Sequence, residues 1–359
     1  MKWKLIIIPM LSVIVILALI GDVVLFSDPP IEYSESQILY QWPNGDQNAS
    51  GAFVTEWFNG LGWVSIFGCD DCNNVTDAMT HYQEAGLYEV PTTAYLYGNS
   101  GDPAVLIDSD SELALHYPHD WSTSGTVTYS QALTLAKEGK DFLDHLSLAS
   151  KWSDGQHFIS MANPGDEAAL PLLSAEWEIV GIRSDGYASN IDGLISGSDH
   201  PFDLMNLDRE INTDHQYSMG YLMNITNNIT HSDGILIIYG HQWAKINDVQ
   251  FLQWLANDSD SWMATQGEMS SYIYGQHSLN LTGSNGTYIV SKPDPTKDGY
   301  WNVPITICIP NCNVTNITVN GRVVSPLIND RELGMGYCQR DGDLYVTEFW
   351  NGTNVLVIK

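Results

Sequence analysis

The sequence predicts an α/β fold, a parallel (β/α) barrel, followed by a C-terminal all-β, sandwich-like domain. From residue 51 to about residue 275, short apolar or β-branched runs alternate with segments of helical periodicity. An alternation of this length is typical of parallel strands that close into a barrel. After residue 276 the helical stripes disappear, and β-branched residues cluster around Asn-Gly turns at 285, 320 and 351.

Each element is predicted from its pattern of apolar residues. Strands are expected at residues 63–67, 92–96, 112–116, 157–161, 178–182 and 234–239. Helices are expected at residues 75–85, 129–148, 168–175 and 218–229. In the all-β region the strand-forming stretches are 278–289, 303–310, 314–319 and 344–359. The chain thus divides into a signal segment at 1–26, a stalk at 27–50, the barrel at 51–275 and the accessory domain at 276–359.

The first 26 residues predict targeting to a membrane. Lys2 and Lys4 precede an uncharged apolar run at residues 5–20, as in a signal sequence. If residues 23–26 extend this run past Asp22, the segment remains as a helical membrane anchor; otherwise it is a cleaved signal peptide. In both cases the rest of the chain is expected outside the cell, at the extracellular face of the membrane or secreted.

Composition favours an exterior location and excludes nucleic acid as a partner. The formal net charge is −29, with 14 basic residues against 43 acidic ones. Such a chain repels nucleic acid and anionic membrane surfaces. Ten Asn-x-Ser/Thr sequons predict a glycoprotein. They begin at Asn48, Asn74, Asn224, Asn228, Asn257, Asn280, Asn285, Asn313, Asn316 and Asn351.

The five cysteines allow two interpretations. Outside the cell, Cys69 with Cys72 and one pair among Cys308, Cys312 and Cys338 are candidate disulfides. The alternative is a zinc site in which Cys308 and Cys312 complete the Cys-x-x-Cys pair. The sequence leaves both open.

Two carboxylates and three histidines form a candidate metal site with an acid and a base. Asp70 and Asp71 follow one predicted strand, His116 and His119 lie at the end of another, and His241 follows a third. One carboxylate and two imidazoles suit a hydrolytic divalent metal, most plausibly zinc, and leave a coordination position for water. The second carboxylate can accept the proton of that water, and His241 is a candidate general acid. A parallel β/α fold places reactive side chains at such strand ends.

The order of these motifs resembles the polysaccharide deacetylase family, the NodB-homology domain of carbohydrate esterases. The resemblance rests on VSIFGCDD at 64–71, the strand at 91–96, LALHYPH at 113–119, GILIIYGH at 234–241 and the stretch 262–272. It implies a distorted barrel of about seven strands. By this resemblance Asp71, His116 and His119 are the metal ligands, Asp70 is the general base and His241 is the general acid.

The function that the resemblance implies is metal-dependent hydrolysis of N- or O-linked acetyl groups on an acetylated carbohydrate polymer. Trp121, Trp152 and Trp243 are candidates for stacking on a sugar face. The block at 160–165 lacks the Arg that braces the base in the family, and Cys72 stands where the family has Gly. The alternative is therefore a catalytically impaired barrel that serves as a surface carbohydrate-binding or cell-envelope protein. A glycosidase ranks last, because adjacent Asp side chains are poor partners across a glycosidic bond.

Overall fold

The computed structural model describes residues 46–69, 91–96, 112–116, 152, 160–163, 181–184, 210–212, 217–230, 235–240 and 250–359, the last range with gaps at 252, 256, 258–259, 299, 315 and 332. These residues belong to one compact unit, Tyr40–Lys359. Within them no helix has the length and apolar character needed to cross a membrane. The predicted signal segment at 1–26 and the predicted helices at 75–85, 129–148 and 168–175 lie outside the described residues.

The first two strands in chain order, β1 (Asn48–Ala49) and β2 (Ala52–Val54), form an antiparallel pair. The next eight form the central sheet. They are β3 (Trp63–Cys69), β4 (Thr92–Leu96), β5 (Glu112–His116), β6 (Ser160–Asn163), β7 (Gly181–Ser184), β8 (Glu210–Asn212), β9 (Ile235–Gly240) and β10 (Ser261–Ala264). The strands predicted at 92–96 and 112–116 are confirmed, and β4 and β5 begin and end at the predicted residues.

All pairings in the central sheet are parallel, in the order β7-β6-β5-β4-β3-β9-β8. Strand β10 pairs with the first half of β3, and β4 pairs with the second half. Within the described part of the chain the two outer strands, β7 and β8, do not pair with each other. The parallel α/β prediction is thus confirmed, while a closed barrel of about seven strands stays a prediction.

The two faces of the central sheet pack against different partners, because successive side chains in a strand point to opposite faces. Trp63 and Phe67 of β3 join Leu236 and Ile238 of β9 against helix α1 (Met219–Thr230), whose Leu222 is fully buried there. This helix agrees with the prediction at 218–229. The alternate residues of β3 and β9 join a second, larger apolar cluster that continues into the C-terminal strands.

Two antiparallel sheets of five strands complete the fold. The remaining strands are β11 (Asn280–Ser284), β12 (Thr287–Lys292), β13 (Ile305–Ile309), β14 (Ile317–Val319), β15 (Arg322–Val323), β16 (Gly336–Arg340), β17 (Asp343–Glu348) and β18 (Gly352–Ile358). One sheet has the order β1-β2-β13-β17-β16 and the other β11-β12-β18-β14-β15. Buried side chains of both sheets meet in one apolar cluster. The all-β prediction for this region is confirmed, and strands β1 and β2 from the start of the chain add to it.

Two of the predicted Asn-Gly turns close hairpins. Asn285 and Gly286 have φ of 53° and 76°, and Asn320 and Gly321 have φ of 50° and 78°. Two consecutive positive φ values match the twist of a two-residue hairpin, which Asn-Gly accommodates best. The third site, at residue 351, is different: the chain there passes from β17 in one sheet to β18 in the other.

The three cysteines of the C-terminal sheets are free thiols. Cys308 and Cys338 both lie opposite Tyr345, on the two strands that flank β17. Two strand spacings amount to about 10 Å, which is too far for a disulfide. Cys312 is free as well, so the predicted disulfide among these three cysteines is not formed in this structure. Cys69 ends β3, and Cys72 lies outside the described residues, so the pairing of these two stays a prediction.

Candidate functional site

Three strands that lead to the predicted site residues share one sheet and one direction. Cys69 at the end of β3 lies beside Gly240 at the end of β9. On the other side, Cys69 lies beside Ala94 of β4, and Ala94 beside Leu113 of β5. Because all these pairings are parallel, the carboxyl ends of β3, β5 and β9 lie along the same edge of the sheet.

Of the predicted site residues, the structure describes His116. It is the last residue of β5, and it is buried, with 3% of its surface exposed. Asp70 and Asp71 follow β3 in the chain, His119 follows β5 and His241 follows β9, but these four lie outside the described residues. Among the described residues, no group of three or more His, Cys, Asp or Glu side chains could hold a metal ion. The metal ligands, the general base and the general acid therefore stay predictions.

A buried carboxyl group on the same strand was not predicted. Glu112 begins β5 and is fully buried. Its Oε2 accepts hydrogen bonds from Thr93 Oγ1 of β4 (3.2 Å) and from the backbone N–H of Gly267 (2.8 Å). Within the described residues its Oε1 has no hydrogen-bond partner. Burial raises the pKa of this carboxyl from 4.5 to about 7.

The neighbour of Glu112 is the first turn of helix α2 (Gln266–Ser278), which follows β10. Thr265 caps this helix: its side chain accepts from Glu268 N, and the Glu268 carboxylate accepts from Thr265 N. Gln266 N donates to Thr93 Oγ1 at 2.9 Å, and the Tyr95 hydroxyl donates to the Gln266 side chain. The Thr-x-x-Glu signature of this capping box is visible in the sequence and predicts a helix start at this position.

The structure gives one of the three candidate tryptophans a packing role. Trp152 is half-buried; its indole Nε1 donates to Glu268 Oε1 at 2.6 Å, and its ring meets Phe349 edge-on at 5.9 Å between centroids. These contacts tie it to the capped end of α2. Trp121 and Trp243 lie outside the described residues.

No family model and no curated protein matches the sequence. Among solved structures, the chain is similar to a proposed polysaccharide deacetylase from Mycobacterium smegmatis, with 12% identity and a TM-score of 0.42, over 65% of this chain and 97% of that one. It is also similar to a GH30 endoxylanase from Clostridium papyrosolvens, with 6% identity and a TM-score of 0.34, over 87% of this chain and 99% of the other.

Proposed function

We propose that this chain is a metal-dependent carbohydrate deacetylase, which hydrolyses N- or O-linked acetyl groups on a cell-surface or extracellular polysaccharide. The supporting observation is that β3, β5 and β9 end at one edge of a parallel sheet, with Cys69 beside Gly240. Each of these strands leads within three residues to a predicted ligand, base or acid. Catalytic groups of parallel α/β proteins gather at this edge.

The spacing along the strands also favours a common site. Leu113 is level with Cys69 across the sheet, so His116 lies three residues beyond that level. Counted along the chain, Asp71 is two residues beyond Cys69. Counted along the chain, the two proposed ligands thus follow the same level of the sheet by two and three residues.

The proposed ligands are Asp71, His116 and His119, and their chemistry suits zinc. A carboxylate with two imidazoles is a common hydrolytic donor set. If these residues held a divalent ion, its positive charge would lower the pKa of a water molecule and polarise the acetyl carbonyl. Asp70 accepts the proton of the attacking water. His241 donates a proton to the departing sugar amine or hydroxyl.

The proposed location is the extracellular face of the cell membrane, with the N-terminal segment as anchor, or secreted if that segment is cleaved. The apolar run at 5–20 and the ten sequons support it. The proposed partner is an acetylated carbohydrate polymer, which needs no positive protein surface for binding.

The test combines metal analysis with acetate release from acetylated amino-sugar oligomers. The purified protein is expected to contain a divalent metal, and Asp71→Ala is expected to lose both the metal and the activity. His241→Ala is expected to keep the metal and to lower kcat by about 100-fold to 10,000-fold. Asp330→Ala is the matched control, because this aspartate is exposed in a C-terminal loop. An Asp71→Ala protein that retains metal and full activity would refute the proposal. A metal-containing wild type that binds the oligomers without releasing acetate would support the impaired-barrel alternative.

A further inference from the structure

A pair of stacked tyrosines lies at the beginning of helix α1. The rings of Tyr217 and Tyr221 have centroids 4.9 Å apart and an interplanar angle of 22°. Tyr217 packs against the apolar cluster between α1 and the central sheet, whereas half of the Tyr221 surface is exposed. Tyr221 therefore presents an aromatic side chain to solvent on a support that is fixed to the core.

The topology places this pair on the same side of the sheet as the proposed active site. Helix α1 connects β8 to β9, which are parallel and adjacent. The chain leaves β8 at its carboxyl end, and α1 must return it to the amino end of β9. The first turn of α1 therefore lies at the carboxyl edge of the sheet, where β9 leads to His241.

Within the described part of the chain, the position next to Tyr221 is uncovered. A Cβ atom added to Gly220 would meet no described atom within 4 Å. An exposed aromatic side chain matches the apolar C–H face of a sugar ring.

We propose that Tyr221, supported by Tyr217, stacks on a sugar ring of the polymer and forms a subsite away from the acetyl group that reacts. This inference rests on the proposed function for the identity of the polymer. The charge of the chain, −29, further favours neutral or cationic sugars over polyanionic ones. Removal of acetyl groups from amino sugars creates cationic units, so the subsite suits partly deacetylated chains as well as the acetylated polymer.

The test measures binding of N-acetylglucosamine oligomers to the full-length protein by calorimetry. Tyr221→Ala is expected to bind the hexamer about fivefold to tenfold more weakly than wild type, as for loss of one aromatic contact. The loss is expected to be smaller for the dimer, because two sugar units occupy fewer subsites than six. Tyr221→Phe keeps the ring and is expected to retain most of the affinity. Phe53→Ala is the matched control, because Phe53 is an exposed aromatic residue on β2, with 39% of its surface accessible.

Each outcome decides the proposal. Equal hexamer affinity of Tyr221→Ala and wild type would overturn it, as would an equal loss in Phe53→Ala or a wild type that does not bind the hexamer. Thermal unfolding of each variant checks that the fold is intact, which is expected because Tyr221 is half exposed. Acetate release is measured separately. Tyr221-dependent binding without acetate release would refute the proposed activity and leave the subsite standing.

Discussion

The buried carboxyl group of Glu112 makes the stability of the fold depend on pH in a direction that can be worked out. Burial raises its pKa from 4.5 to about 7, so between these values the folded state keeps a proton that the unfolded state has lost. The free energy of unfolding must therefore fall as the pH rises from about 4.5 to 7 and then stay lower. A shift of this size corresponds to about 3 kcal/mol. Because Glu112 is fully buried, solvent does not screen the effect.

Glu112→Gln removes the ionisation and keeps an oxygen that can accept from Thr93 and Gly267. We expect the variant to gain about 3 kcal/mol relative to wild type when the pH rises from 4.5 to 8. Urea denaturation at several pH values measures this difference. Asp341→Asn is the control: it removes a carboxylate from an exposed turn with φ of 53°, which Asn also tolerates, and it should keep the wild-type pH dependence. Parallel stability curves for wild type and Glu112→Gln would refute the reasoning.

Two further predictions concern a glycine and a lysine. A Cβ atom on Gly267 would lie 2.5 Å from the Trp301 ring, so Gly267→Ala is expected to lower the free energy of unfolding by about 1 to 2 kcal/mol. A Cβ atom on Gly220 would meet no described atom within 4 Å, so Gly220→Ala is expected to raise the free energy of unfolding by up to about 1 kcal/mol. Equal shifts of the two variants in urea denaturation would contradict this. Burial lowers the pKa of Lys292 from 10.5 to about 8, although its ammonium donates to Asn302 Oδ1 and Val303 O. Between about pH 8 and pH 10.5 the unfolded state therefore binds more protons than the folded state. The free energy of unfolding must rise with pH over this range. Relative to Lys292→Met, wild type should gain about 2 kcal/mol between pH 7.5 and 9.5, and a constant difference would contradict the assignment.

The strands of the central sheet were predictable where apolar or β-branched residues make up most of the strand. Strands β4 and β5 agree with the predicted bounds, and β9 differs by one residue at each end. Strand β8 was missed, since it has three residues, two of which are polar. Strand β10 overlaps the start of the stretch 262–272, on which the sequence resemblance partly rests. The structure pairs β10 in parallel with the first half of β3, whereas β4 pairs with the second half.

Helix α2 has no apolar stripe because it is buried on nearly all sides. Twelve of its thirteen residues are buried, including Gln266, Glu268 and Ser270. A helix of this kind lacks the 3.6-residue alternation of apolar and polar positions on which the prediction depends. Its capping box was the signal that remained. The burial of Glu112 against this helix could not be predicted either, because it depends on a partner more than 150 residues away in the chain.

The site was predicted from strand ends alone, and the parallel register gives the physical basis of that prediction. In a parallel sheet, a residue that follows a strand must lie at the carboxyl edge, whatever loops connect the strands. The sequence could not predict which strands are neighbours. The structure shows that β3 and β9, about 170 residues apart in the chain, end side by side, and that β5 lies two strands away on the other side.

The connection between the central sheet and the antiparallel sheets depends on contacts that are remote in sequence. Strand β2 pairs with β13, with Phe53 beside Cys308, and Thr55 N donates to Thr306 O at 3.1 Å. Tyr272 of α2 joins the same place, since its hydroxyl bonds to Thr55 Oγ1 and accepts from Thr306 N. The first turn of α2 meanwhile binds β4 and β5. The first turn of helix α2 therefore contacts β5, the strand that carries His116. A later turn of the same helix contacts the antiparallel sheet. Closing the long loop between β2 and β13 costs entropy, which the contacts across this pairing help to offset. The sheet that contains β1 and β2 therefore depends on the C-terminal strands for its completion.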